Sequence, residues 1–390
     1  YAESVLTTGS ACGGTQVVTP GNAAVQDQDG HGTNVAGIAT AIGNDAAGFA
    51  GVAWNVKLQV YRIFANGNAC TTDEAKAIYD AVAKGANVIN LSLGSAQSGG
   101  PDQAERDAIT FAIAHNVLVV AASGNERTQG NEVLDFPAEY PGVLSVGASA
   151  LNDNNSGSPA GAKEYVASYS NSGPGLGLVA PGGDPSGTSD TDVLHWISNL
   201  YSTTGNPPCS KPADCYVLIA GTSQATPHVT GAAALLLSIN PALSPAQLSQ
   251  ILESTADDIG DVNQGHGRLN VYRALAAASG DASPPAYKPV SAQFIAFAYS
   301  NSGANNSPPQ IIDDTFSGGI LVNPDGTFRI ADIPPTSTSY KIGVWYDANG
   351  NGIIDAGDRF AATGTCGQNG CPGGAQLSPS VITASPFALP

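Results

Sequence analysis

Basic residues are scarce in this chain: 14 lysines and arginines stand against 32 aspartates and glutamates, a formal net charge of −18 over 390 residues. That balance argues against nucleic acid or an anionic membrane as partner. Charged residues of both signs reach only 12%, so surface polarity must come from serine, threonine, asparagine and glycine, a composition that reads as secreted. The longest apolar run, near Ala232–Ile239, is far shorter than the roughly 20 residues that span a bilayer. No Cys-x-x-Cys pair or Cys/His cluster occurs, which removes the zinc-hydrolase class. No Gly-rich phosphate loop occurs either, which removes nucleotide enzymes. Nothing ahead of His31 resembles a signal peptide and the first residue is Tyr1, so a processed or truncated chain is expected.

What is present suffices for a full-sized core, with 42% apolar residues and a length that suggests two domains. The six cysteines fit an oxidising compartment. Proximity pairs Cys209 with Cys215 and Cys366 with Cys371, leaving Cys12 for Cys70. Six thiols allow about 15 pairings, so proximity is the sole warrant for this one. Between His31 and Ala278 apolar strands alternate with helices. Helices are expected over 31–42, 72–84, 102–115 and 245–253, and strands over 57–63, 88–93, 117–122 and 143–148. Ser244 and Pro245 supply an N-cap and a first helical residue. Continuous apolar strands separated by helices predict an α/β fold, a mostly parallel sheet with helices on both faces. At Asp281–Ala286 the composition shifts to a Pro/Ser-rich linker. Beyond it, strand-like alternation over 293–299, 319–322, 327–331 and 340–346, with a turn at Asn323–Gly326, predicts a small all-β sandwich. The expected division is 1–280, a linker over 281–290, and 291–390.

The chemistry concentrates at Gly221-Thr-Ser-Gln-Ala-Thr-Pro-His-Val229. Gly221 lets the backbone turn closely, and Ser223 then stands at a helix start, where unpaired N–H groups can meet a developing oxyanion. Pro227 falls within the first turns, where a missing N–H costs least. The base candidate is His31, in Asp27-Gln-Asp-Gly-His-Gly-Thr33, also at a helix start between glycines. The other four histidines have plain structural readings: His115 ends a helix, His228 lies inside the serine's helix, His195 is in a loop and His266 in a Gly-rich turn. Ser123-Gly124-Asn125 follows an apolar strand, at the carboxyl end where open α/β sheets place their sites.

These segments closely resemble the subtilisin-like serine proteases, the subtilases. The likeness runs in family order through His31–Gly37, Gly51–Trp54, Val88–Gly94, Ala121–Asn125, Phe136–Pro141, Ala180–Gly183, Gly221–Ser223 and Gly267–Leu275. It implies Ser223 as nucleophile, His31 as general base then acid, and Asn125 in the oxyanion hole. It further implies that Ser92, Leu93 and Gly94 pair with the substrate backbone, with Ser123 and Gly124 on the cleft's other wall. The implied activity is acyl transfer on protein or peptide substrates outside the cell. Gln224 replaces the commoner methionine after the nucleophile.

One family element is missing. The acid lies on a strand before the histidine, and Tyr1–Gly30 has no aspartate in that context. Val5-Leu-Thr-Thr-Gly9 echoes the motif with Thr7 at the acid's place, and Asp27 and Asp29 sit too near His31 to orient its far nitrogen. The acid is therefore expected ahead of Tyr1, with an N-terminal fragment or propeptide as partner. The alternative is an inactive member that binds peptides. Asp135 aligns with the floor of the primary specificity pocket, where it either favours a basic side chain or is merely solvated. Calcium is the expected metal, a structural ion in the loop Asp347–Asp358. Asp347, Asn349, Asn351, Asp355 and Asp358 fall at positions 1, 3, 5, 9 and 12 of an EF-hand-type loop, with Ile353 offering a carbonyl. Asn44-Asp45 stands where many subtilases bind another calcium, and that reading stays open.

Overall fold

The computed structural model describes the chain except for residues 9–11, 44–47, 66, 97–99, 128–132, 153–162, 186–194, 206–214, 281–292, 301–319, 322–339, 348–358, 363–379 and 382–390. The chain divides into two compact units, one of Tyr1–Asn155 with Lys163–Ala286 and another that takes in Tyr287–Pro390.

The first unit opens with β1 (Ala2–Thr8), β2 (Thr15–Pro20), helix α1 (His31–Thr40), β3 (Val60–Arg62) and the short pair β4 (Phe64–Ala65) and β5 (Asn68–Ala69). Then come α2 (Thr71–Ala83), β6 (Val88–Leu91), α3 (Gln103–Ala114), β7 (Leu118–Ala122), β8 (Leu144–Asn152), β9 (Lys163–Val166) and β10 (Leu178–Pro181). A hairpin of β11 (Ile197–Leu200) and β12 (Tyr216–Ile219) precedes α4 (Thr222–Ile239), α5 (Pro245–Ser254) and α6 (Val271–Ala278).

Strands β6, β7, β8 and β10 form a parallel sheet, with β9 antiparallel on β8. Period-two geometry sorts β7 onto two cores. Leu118 and Val120 face α4, α5 and α6, against Val229, Ala232, Leu236, Leu248 and Leu252. Val119 and Ala121 face α2 and α3, against Ile78, Ala108, Ile109 and Ala112. Each of the four expected helices forms within two residues of its expected ends, and side-chain caps fix the starts of two of them. Ser244 and Gln247 make a reciprocal capping box on α5, and Asp102 accepts from Ala104 and Glu105 at the start of α3.

Tyr1–Gly30 holds more structure than its sequence suggests. Its apolar residues do not form a run, yet β1 pairs antiparallel with β2 and parallel with β3. Val5 is fully buried, packed with Ile63, Ala77 and Leu93. The three-stranded sheet β2-β1-β3 is separate from the sheet ending at β6. Val88, Ile89 and Asn90 of β6 are consequently half-exposed, whereas all of β7 is buried.

The second unit shows one antiparallel sheet among its described residues, in the order β14-β13-β15-β16-β17. These strands are β13 (Gln293–Ser300), β14 (Ile320–Leu321), β15 (Tyr340–Asp347), β16 (Arg359–Ala362) and β17 (Ser380–Val381). The expected strand over 327–331 and the turn at Asn323–Gly326 lie outside the described residues. So does any second layer of a sandwich.

The proximity pairing holds for Cys12 and Cys70, which form a disulfide across 58 residues. Cys70 is the N-cap of α2, so the bridge ties the β1–β2 hairpin to that helix. Cys215 is disulfide-bonded; Cys209, Cys366 and Cys371 lie outside the described residues. Closing a loop of this length removes about 4 kcal/mol of denatured-state entropy in the chain-entropy model. Replacing both Cys12 and Cys70 by serine should therefore lower the unfolding free energy by about 2–4 kcal/mol, read from the guanidinium midpoint and slope.

Candidate active site

Helix α4 places Ser223 at its second position, after Gly221 as N-cap. The first N–H groups of a helix have no intrahelical acceptor. Thr222 solves this by donating its N–H (2.9 Å) and its hydroxyl (3.0 Å) to Asn125 Oδ1. With its oxygen so engaged, the Asn125 amide is turned, and its Nδ2 has no acceptor among the described residues. The Ser223 N–H has none either. Two donors, one on the first turn of α4 and one on the loop bonded to it, are thus left free at a helix end whose dipole favours negative charge.

Pro227 lies one turn deeper than the positions where a missing N–H is harmless. It cannot donate back to the Ser223 carbonyl, the residue four before it. Ser92 takes over that role, its Oγ donating to Ser223 O at 2.7 Å. In return Ser223 Oγ donates to the Ser92 carbonyl at 3.2 Å. Asn90 Nδ2 donates to Ser92 Oγ (3.0 Å), and Thr230 Oγ1 to Asn90 Oδ1 (2.8 Å). The segment leading to Leu93 and Gly94 is thereby fixed to α4.

His31 is the first residue of α1, and its N-cap Gly30 is left-handed, with φ of 96°. A side chain at Gly30 would collide with the Tyr201 ring. Asp27 caps this helix, accepting from Gly30 N at 2.8 Å and from the Thr33 N–H and hydroxyl at 2.8 and 2.7 Å. Asp29 accepts from His31 N at 3.2 Å. These carboxylates are thus structural, and they leave the His31 ring without a hydrogen-bonded acid among the described residues. Burial lowers the His31 pKa, opposed by the charges of Asp29 and Asp27. The ring is neutral at neutral pH, as a proton acceptor must be. Gln224 is buried and donates from Nε2 to Asn34 Oδ1 at 3.3 Å. It joins the serine's helix to the histidine's.

Thr7, at the place suggested for the acid, donates its N–H to Asp73 Oδ2 (2.6 Å) and its hydroxyl to Oδ1 (2.7 Å). Gln16 Nε2 also donates to Asp73, at 2.8 Å. Asp73 is spent on joining the hairpin to α2.

Ser123 is fully buried and donates to the Asn171 carbonyl at 2.9 Å, a structural role. Gly124 has φ of 111° and no room for a side chain, since a Cβ would lie 2.7 Å from Asp135 Cγ. Asp135 is only 3% exposed rather than solvated at a rim. Burial and then the neighbouring Glu126 carboxylate raise its pKa to about 7. Sequence reasoning passed over Glu126 and Asn171, whose Nδ2 donates to Glu126 Oε2 (2.9 Å) and Asp135 Oδ1 (3.2 Å). Glu126 was legible as the neighbour of Asn125; Asn171 carried no motif.

Among the calcium-loop residues only Asp347 is described, as the last residue of β15. Asn349, Asn351, Ile353, Asp355 and Asp358 lie outside the described residues, as do Asn44 and Asp45. No group of three or more potential metal ligands occurs among the described residues, and none of their helices is long and apolar enough to cross a membrane.

A family model for the subtilase family matches residues 14–273. Subtilisin BL of Lederbergia lenta is 36% identical over 264 residues, covering 67% of this chain and 83% of that protein. An alkaline protease of Alkalihalobacillus alcalophilus is 36% identical over 264 residues, so the chain spans 59% of that relative's length. Among solved structures, a protease from Pseudoalteromonas arctica superposes with a TM-score of 0.53 at 32% identity, covering 64% of this chain and 71% of its own.

His228, inside α4, is held by Gln224 O at 2.9 Å from Nδ1, and burial lowers its pKa from 6.5 to about 4. Such a group leaves stability unchanged above 6.5 and withdraws it as pH falls towards 4, because the unfolded chain alone takes up the proton. An NMR titration of the histidine rings should give His228 a midpoint near 4. A midpoint near 6.5 would contradict its burial.

Proposed function

The chain belongs to the subtilase family, and from that premise we propose that it is a secreted serine endopeptidase acting on extended protein or peptide segments. One observation carries the reading: among the described residues the Ser223 N–H and Asn125 Nδ2 have no acceptor, while Asn125 Oδ1 is held by Thr222 and the Ser223 hydroxyl and carbonyl are held by Ser92. The substrate lies as an added strand along Ser92–Gly94. Ser223 Oγ attacks the peptide carbonyl and His31 takes its proton. The oxyanion forms against the two free donors. His31 then gives the proton to the departing amine, and water repeats the sequence on the acyl-enzyme.

The acid that orients His31 belongs, in this reading, to a strand from outside this sequence, upstream of Tyr1 or on an N-terminal fragment. Among the described residues β6 pairs on one side only and is half-exposed, which supports that placement. In a subtilisin, loss of the acid alone lowers turnover by about 3 × 10⁴. The 390-residue chain should accordingly label slowly at Ser223 with a fluorophosphonate, and not at all as Ser223→Ala. A longer chain carrying the strand should label faster by about 10⁴. Full-speed labelling with no second fragment detectable by mass spectrometry refutes the missing strand. No labelling in either form favours the second reading, a subtilase fold that binds peptides without cutting them, which the lack of a carboxylate on the His31 ring supports.

Calcium is proposed as a structural ion of the Asp347–Asp358 loop. Trp345, 4% exposed and two residues before Asp347 on β15, is a natural reporter. Thermal unfolding followed by tryptophan fluorescence should move to higher temperature with calcium over chelator, and Asp355→Ala should abolish the shift. An unchanged transition would remove calcium from this loop.

A further inference from the structure

We propose that the hairpin β11–β12 clamps the turn ahead of His31, with Tyr201, Ser202 and Thr204 as positioning residues that hold the imidazole in place for proton transfer. The proposal rests on the endopeptidase reading and names residues that this reading leaves out. The His31 ring has no hydrogen-bonded carboxylate among the described residues, so its place is set by the backbone that carries it. That backbone is the turn Asp27–Gly30, which runs into the first residue of α1. From within, the Asp27 carboxylate ties the turn to Thr33. From a distant part of the chain, three hydroxyls bind its carbonyls. Ser202 Oγ and Thr204 Oγ1 both donate to Asp27 O, the latter at 3.0 Å, and Tyr201 OH donates to Asp29 O at 3.0 Å. Thr204 N donates to Ser202 Oγ at 3.2 Å, which fixes these two residues relative to each other. The Tyr201 ring lies where a side chain at Gly30 would stand, so glycine is required both for φ of 96° and for the close approach of the ring.

The hairpin reaches both halves of the proposed machinery. Strand β11 lies against α1: a Cβ on Gly37 would stand 3.3 Å from Leu200 Cβ, and Asn34 Nδ2 donates to Leu200 O at 3.4 Å. Strand β12 pairs with β11 antiparallel, Leu200 opposite Tyr216 and Ile197 opposite Ile219, and leads into Gly221, the N-cap of the serine's helix. Tyr201 N donates to Cys215 O at 2.7 Å. Cys215 is disulfide-bonded, so the loop end of the hairpin is also held covalently. One strand of the hairpin thus ends at the turn before His31, and the other at the turn before Ser223. The clamped turn borders a hollow of about 510 Å³ that Tyr1 and Leu58 also line. Open space therefore lies beside it, and the hydroxyl-to-carbonyl bonds share with Asp27 the work of holding it. Proton transfer is sensitive to such placement, since a displacement of about 1 Å can slow a reaction by ~10²-fold.

The test reads the His31 ring directly, so it does not depend on turnover. In the 390-residue chain the ring is titrated by NMR, and fluorophosphonate labelling of Ser223 is timed across the same pH range. Burial lowers the His31 pKa against the charges of Asp29 and Asp27, the charged groups that act on it. A turn released by Ser202→Ala/Thr204→Val lets water reach the ring, so its midpoint should rise towards 6.5, by about half a pH unit or more. Labelling should slow by about tenfold or more, and the low-pH limb of its profile should move up with the ring. Tyr201→Phe, which keeps the ring over Gly30, should show the same changes more weakly. Thr204→Ser, which keeps the hydroxyl, should match the parent. All are compared well below their unfolding temperatures, read by circular dichroism. A folded double variant with the parent's midpoint and labelling rate overturns the clamp, whatever its loss of thermal stability. Should the double variant not fold, Tyr201→Phe decides, and an unmoved midpoint and rate there overturn the clamp equally. A shifted midpoint in a chain whose Ser223 never labels keeps the clamp as a tie on His31 and sinks the endopeptidase. Labelling in the parent, with rate and midpoint unmoved in the variants, sinks the clamp alone.

Discussion

Helix α4 begins in the interior, and its first turn must satisfy groups that the helix itself leaves orphaned. Asn125 and Ser92 do so from two different strands' ends. Asn125 receives the Thr222 donors, and Ser92 supplies the hydrogen that Pro227 lacks. The rest of the site depends on these bonds. They hold the helix end at the junction of the loops after β6 and β7, and they leave the Ser223 N–H and Asn125 Nδ2 without an acceptor among the described residues. An apolar residue at either position would strand a buried polar group at a cost of about 1–3 kcal/mol. The same bonds therefore stabilise the fold and orient the donors.

The sheet accounts for how Ser223, Asn125 and Ser92 are tied together, while the His31 ring has no hydrogen-bonded carboxylate among the described residues. Ser223, Asn125 and Ser92 are anchored to β6, β7 and α4, which share the two large cores on either face of β7. His31 reaches them through α1, packed on α4 and linked through Gln224 and Asn34. No strand of the described residues runs along the outer edge of β6. Parallel sheets are ordinarily covered on both faces, and Val88 and Ile89 of β6 are half-exposed.

Much of this was legible in the sequence, and the failures share a cause. Helices α2, α3 and α5 announce themselves because apolar periodicity and caps such as Asp102 and Ser244 are local signals. Ser223, His31 and Asn125 are legible because each stands within two residues after a glycine near an element boundary. Strand β1 was not, since Val5 is buried by Ile63, Ala77 and Leu93, all distant in sequence. Pro227 lies a turn too deep for a free N–H, and only the Ser92 hydroxyl, 131 residues from the Ser223 carbonyl it serves, shows why the helix tolerates it. Asn171 lies 36 residues from Asp135 and carries no motif, although it joins both carboxylates. Contacts made by tertiary packing leave no trace in local pattern.

Charge links these parts. In the proposed reaction an oxyanion develops beside Asn125, whose own backbone N–H already serves Glu126. A carboxylate pair so close to the forming negative charge works against it, the more so because the surroundings are partly desolvated and a net charge of −18 lies behind them. Two N–H donors offset that field at short range, yet they cannot remove it.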